Sequence, residues 1–231
     1  MIAENIAAIR SRMADAAAAA GRNVSEISLC AATKMNDADA VREAICAGVD
    51  CCGENRVQEL REKLEQNAYD GKPLHFIGRL QTNKVKYLVG TVDLIESVDR
   101  IELLAAIDTL AKKRGVVQDI LLEVNIANQE SKAGFTAEQT LALAAQMKAY
   151  SGVRLCGLMA IPPISEENGA NRGYFAKMRQ LFVDISGKKY DNVAMECLSM
   201  GMSDDYVDAI LEGSTMIRVG TAIFGARNYT V

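Results

Sequence analysis

One histidine and three prolines occur in 231 residues, and each scarcity excludes something. So few prolines leave no Pro-rich linker and little compositional basis for disorder. The lone histidine, His75, argues against a His/Cys zinc site, so no metal is expected. Six cysteines (Cys30, Cys46, Cys51, Cys52, Cys156 and Cys197) stand mostly inside apolar segments, and none forms a Cys-x-x-Cys pair. They read as reduced, mostly buried thiols of a cytoplasmic protein, not as a disulfide framework. No run of about 18 apolar residues occurs, so no membrane span is expected. The N-terminal stretch is broken by Glu4, Arg10, Arg12 and Asp15, which excludes the unbroken apolar core of a signal peptide. Cationic excess is also lacking. Lys and Arg number 26 against 30 Asp and Glu, a net charge of −4, so neither nucleic acid nor an anionic membrane is an expected partner.

What is present is an ordinary globular composition, 49% hydrophobic and 24% charged. Ile2, Ile6, Ile9 and Met13 recur at helical spacing, and Gly21 is placed to end that first helix. Short apolar runs then predict strands at 27–34, 49–55, 74–80, 94–99, 119–126, 153–161, 192–200 and 215–225. Amphipathic stretches between them predict helices at 38–47, 57–66, 101–113, 136–149, 174–185 and 204–211. Asp99 is placed to cap the third of these, Thr136 and Gln139 have capping-box spacing, and Gly213 can close the last. Strict strand–helix alternation implies a parallel sheet with both faces covered. A single (β/α)₈ barrel uses about 200–250 residues. The expectation is therefore one α/β domain over 1–231, a TIM barrel preceded by an extra N-terminal helix. An open doubly wound sheet is the alternative.

Barrel chemistry sits at the C-terminal ends of the strands. Lys34 ends an otherwise apolar strand; it is either a solvated lysine or a desolvated amine able to attack a carbonyl. Ser199-Met200-Gly201 and Gly220-Thr221 follow strands seven and eight, where barrels often build phosphate sites, although glycines also serve plain turns. Ser203 can cap the next helix. Arg218 lies within an apolar strand and needs an acceptor, either a carboxylate such as Glu196 or a ligand. Asn55 can donate to a ligand or cap the following helix, and His75 reads as structural.

The stretches AATK, GENRVQEL, HFIGRLQTNK, IESVDR, LLEVNIANQESKAGF, GLMAIPP, LSMGMSDDY and GSTMIRVGTAIFGARNY resemble the YggS/PROSC family of pyridoxal phosphate homeostasis proteins. That family is similar to the barrel domain of alanine racemases and eukaryotic-type ornithine decarboxylases, the fold type III barrel. The resemblance implies that Lys34 forms a Schiff base with pyridoxal 5′-phosphate. It implies that Ser199, Gly201, Gly220 and Thr221 surround the phosphate, with Met200 contributing backbone. Arg218 would face the pyridine nitrogen and Asn55 would flank the ring. Arg79 departs from the pattern, since many relatives carry proline or histidine there. Lys84 and Lys132 lie in family-like stretches and read as solvated surface groups.

The function so implied is cofactor storage by a monomer, with pyridoxal-phosphate-dependent apo-enzymes as recipients and no catalytic residue. The alternative is a racemase or decarboxylase, which needs an acid/base opposite Lys34; in alanine racemases a separate domain and partner subunit supply it. Only six residues follow Gly225, which leaves no room for such a domain, and Tyr229 is a weak substitute. A barrel binding some other phosphorylated metabolite is the third reading.

Overall fold

The structure is a computed structural model that describes residues 1–129, 132–163, 167 and 169–225. Eight strands, β1 (Ser28–Ala32), β2 (Cys51–Glu54), β3 (Leu74–Phe76), β4 (Leu94–Val98), β5 (Gln118–Glu123), β6 (Val153–Met159), β7 (Val193–Ser199) and β8 (Met216–Val219), close into a parallel barrel in sequence order. Helices α1 (Ile2–Ala19), α2 (Ala38–Cys46), α3 (Val57–Glu65), α4 (Ile101–Arg114), α5 (Ala137–Ala144), α6 (Arg172–Lys188), α7 (Tyr206–Leu211) and α8 (Thr221–Phe224) surround it. The closed barrel replaces the open-sheet alternative. Among the described residues no helix is long and apolar enough to cross a membrane.

The helices form for local reasons. On α1, Ile6, Ile9, Met13, Ala16 and Ala17 make one buried face. Gly21, at φ 66°, ends it: the Arg22 amide reaches Ala17 O and the Gly21 amide reaches Ala18 O. Asn5 Nδ2 then donates to Ile223 O at 2.8 Å, and Arg22 donates to Ser214 O at 2.8 Å, so α1 is tied to the end of the barrel wall. The Thr136–Gln139 capping box forms with both of its hydrogen bonds.

Several details differ from the expectation. The strand predicted at 215–225 stops at Val219, and α8 takes the rest. An apolar run does not distinguish a buried strand from a buried helical turn. The strand predicted at 74–80 stops at Phe76, and a 3₁₀ helix, Thr82–Tyr87, fills the crossover to β4. Asp99 does not cap α4; its carboxylate takes Arg100 Nη1 at 2.5 Å, and Arg100 occupies the cap position.

The helix-facing side of the strands (Leu29, Ala31, Ile95, Ile120, Leu122, Leu155, Leu198, Ile217) joins the main hydrophobic core. The barrel interior is different. Leu94, Leu121, Cys156 and Met159 form one small cluster, and Cys30, Cys51 and Met216 another, with Cys197 against both. His75, Glu96, Ser199 and Arg218 form a buried polar network with them. Gly157, at φ 151°, lies where a Cβ would stand 1.7 Å from Cys197 O, so only glycine fits the irregular β6–β7 pairing.

Candidate functional site

The register places the site. Ala32 pairs with Gly53, and Ala31 with Val219. Continuing along these three adjacent strands brings Lys34, Asn55 and the turn 220–222 to one sector of the barrel mouth. Lys34 is half-buried, just beyond β1.

Its backbone is pinned on both sides. Thr33 N donates to Gly53 O at 2.9 Å, and Lys63 Nζ donates to Thr33 O at 2.7 Å. The same ammonium pairs with Glu54 Oε1, which also accepts from Thr33 Oγ1 at 2.6 Å and Tyr69 OH at 3.0 Å. Burial, then the Glu54 charge, pushes the Tyr69 phenol up, so it stays a donor. On the far side, Met35, at φ 61°, donates its amide to Glu59 at 2.7 Å, and Asn36 Nδ2 donates to Lys34 O at 3.0 Å.

Arg218 is buried, and its partners lie inside the barrel. Nη1 donates to Ser199 Oγ at 2.5 Å, Nη2 donates to Ala160 O at 3.0 Å, and Nη1 lies 3.9 Å from Glu96 Oε2. Ser199 Oγ in turn donates to Glu96 at 2.6 Å, while the other Glu96 oxygen meets His75 Nδ1 at 2.7 Å. Burial alone would raise the Glu96 carboxyl, but His75, Arg218 and Ser199 outweigh it and hold it below its ordinary value. The acceptors of Arg218 are thus Ser199 Oγ and Ala160 O, and the carboxylate that faces it is Glu96, not Glu196, which is exposed.

The loops after β7 and β8 form the second half of the site. Gly201, at φ 94°, accepts the Arg218 amide at 2.9 Å, and a Cβ there would stand 2.6 Å from Ala209 Cβ. Ser203 does not cap α7. Its Oγ accepts from the Gly220 and Ala222 amides, each at 3.3 Å, and so occupies donors that an anion's oxygens could take. Asp205 instead accepts from the Met202 amide at 2.7 Å. The Met200 amide donates to Met216 O, and Met200 O accepts from Ser214 Oγ, so both its backbone groups are used inside the fold. The Ser199 hydroxyl is engaged by Glu96 and Arg218, while Gly220 and Thr221 reach the surface.

Asn55 Oδ1 is buried and has no hydrogen-bond partner among the described residues. Beside it lies a cavity of about 970 Å³ lined by Asn55, Phe76, Arg56, Arg79, Lys84 and Arg100, among others. Arg79 and Lys84 are therefore walls of a basic cavity. Lys132 is exposed and donates to Pro162 O at 3.2 Å. Tyr229 and the end of the last quoted motif lie outside the described residues. Glu96, Glu54, Lys63 and the acceptor role of Ser203 escaped the sequence reading. The one available signal was an acid in each of two otherwise apolar strands, CCGE and LIESV.

A closed parallel barrel with a lysine at the end of β1 and an arginine within β8 defines the class. Residues 2–228 match the family described as alanine racemase, N-terminal domain. The chain is 42% identical over 226 residues to the pyridoxal phosphate homeostasis protein of Aquifex aeolicus, covering 98% of each chain. It is 40% identical to that of Pseudomonas aeruginosa, covering 99% of this chain and 96% of that one. The structure of PipY from Synechococcus elongatus, solved with PLP bound, superposes with a TM-score of 0.83 at 32% identity, covering 97% of this chain and 100% of PipY. Within the racemase-type barrels, the chain belongs to the family of pyridoxal phosphate homeostasis proteins.

Proposed function

We propose that this barrel mouth holds pyridoxal 5′-phosphate on Lys34, and that the chain stores and releases the cofactor without turning over a substrate. The observation that carries the reading is Arg218, a buried cation on the strand next to Lys34, oriented by Glu96, Ser199 and Ala160. The residues fit the group. Among the described residues, Asn55 Oδ1 lacks a partner, and the amides of Gly220 and Ala222 meet only the Ser203 hydroxyl oxygen. PipY, a relative of the same architecture, is described with PLP bound.

When bound, the cofactor supplies an aldehyde that condenses reversibly with an amine, releasing water, and a pyridine ring that can accept electron density. The chain's residues divide the remaining work. The pinned Thr33–Asn36 turn presents the Lys34 amine at a fixed place. The turn 220–222, with Thr221 and Ser203, receives the phosphate, and Asn55 flanks the ring. Arg218 would face the pyridine nitrogen. A fixed cation there disfavours a proton on that nitrogen, which weakens electron withdrawal and suits storage over carbanion chemistry. Because attachment to an amine is reversible, pyridoxal-phosphate-dependent apo-enzymes are the proposed recipients. The proposed setting is a monomer in the cytoplasm.

Borohydride treatment of the protein loaded with cofactor, followed by tryptic mapping, tests the anchor. A pyridoxyl mass on the Lys34 peptide, absent in Lys34→Ala, is expected; a mass on another lysine overturns the assignment. Exchange of the α-proton of any amino acid in deuterated water, lost in Lys34→Ala, would overturn storage in favour of catalysis.

A further inference from the structure

We infer that the barrel interior holds a thiophilic metal ion of the zinc type between Cys30, Cys51 and His75, with Cys30 on β1 four residues before Lys34. One ligand atom from each lies within 4.8 Å of the other two, and all three residues are buried. They come from three consecutive strands, with Cys30 and Cys51 directly paired in the register. Two sulfurs bound to zinc at about 2.3 Å in a tetrahedron stand about 3.8 Å apart.

Three further observations point to an ion. First, His75 Nδ1 is engaged by the Glu96 carboxylate at 2.7 Å, which leaves Nε2 as the coordinating nitrogen. A carboxylate fixing the far nitrogen of a ligating histidine is the usual support of a zinc site. Second, the charges balance. A dication with two thiolates is neutral, and Glu96 already faces Arg218, so the interior gains no uncompensated charge. Third, the surroundings are soft and apolar: Met216 and Cys197 pack against the same two cysteines. On binding, two S–H bonds break, two metal–sulfur bonds form, and the two protons leave to solvent. A lone histidine argued against such a site along the chain; the barrel register assembles it from Cys30, Cys51 and His75, which stand 21 to 45 positions apart.

The full chain, reduced and stripped with a chelator, is incubated with zinc, desalted and analysed for metal, in parallel with cobalt(II) monitored by absorbance. One zinc per chain and a cobalt–thiolate charge-transfer band are expected. Both should be lost in Cys30→Ser and Cys51→Ser but kept in Cys46→Ser, which alters an exposed thiol. Glu96→Gln should weaken zinc by about 10–100-fold through the orientation of His75. Should the serine variants fail to fold, wild-type protein is alkylated with and without zinc. Protection of the Cys30 and Cys51 peptides then supports the site. Absence of a cobalt–thiolate band in folded wild-type protein overturns it, as does equal labelling of those peptides with and without zinc. The cofactor plays no part in any of these readouts.

Discussion

Arg218 Nη1 and Glu96 Oε2 stand 3.9 Å apart inside the barrel, bridged by the Ser199 hydroxyl, which accepts from the arginine and donates to the carboxylate. Neither charge is exposed to solvent to any useful extent, so each depends on the other. Glu96→Ala leaves a buried guanidinium uncompensated and should cost about 3–5 kcal/mol. Urea denaturation checks this. A loss below about 1 kcal/mol would mean that Ser199 and Ala160 suffice to hold the arginine.

A second buried pair supports the Lys34 turn. Lys63→Met removes the cation from Glu54 and the donor from Thr33 O, and should cost about 3–5 kcal/mol. Adding Glu54→Gln to it should recover a substantial part, because the stranded charge is gone. A double-mutant cycle on urea midpoints measures the coupling, and strict additivity would contradict it.

Glu123 at the end of β5 gives a pH dependence of known sign. Burial first, then the Asp99 charge, hold its carboxyl above its ordinary value of 4.5. The folded state then binds the proton more tightly than the unfolded state, so this group costs stability as pH rises from the ordinary value through the raised one. Glu123→Gln should melt about 2–4 °C above the parent near neutral pH, with the difference vanishing in acid. Calorimetry at both pH values decides; a constant difference would point to packing instead.

Gly201→Ala should destabilise by about 1–3 kcal/mol, since the site combines φ 94° with a Cβ clash against Ala209 at 2.6 Å. The same change should weaken cofactor binding, followed by absorbance titration, because the loop beside the turn 220–222 must shift. Unchanged affinity would separate that loop from the phosphate.

Thiol labelling of the reduced, chelator-stripped native protein should be dominated by Cys46, the one exposed cysteine among the six. Burial first, then neighbouring charges, push the Cys52 thiol up to about 12, and Cys30 and Cys197 are also raised. Cys46→Ser should remove the fast phase of dye labelling. A fast phase that survives would show that the barrel interior opens.

Alternating apolar and amphipathic segments sufficed to read a parallel sheet covered on both faces, because such strands leave continuous apolar runs; an open sheet stayed an alternative until the structure closed it. That Lys34, Gly201 and Gly220 stand beyond strand ends was legible, because those ends follow directly from where each apolar run stops. The end of β8 was not, because an apolar run looks the same in a strand and in a buried helical turn. Nor was the role of Ser203, whose partners are amides 17 and 19 residues ahead.

Local pattern thus determined the element order and the strand–helix alternation, while closure of the sheet into a barrel was settled by the tertiary structure. Order and alternation depend on periodicities of a few residues, which a chain displays directly. The partners of the buried charges were decided only in three dimensions. Glu96 reaches His75, Ser199 and Arg218 from 21 to over 100 positions away, because inward-facing side chains of all eight strands share one narrow interior. There a charge or thiol takes its neighbour from the register and the curvature of the barrel, and no spacing along the sequence encodes that choice.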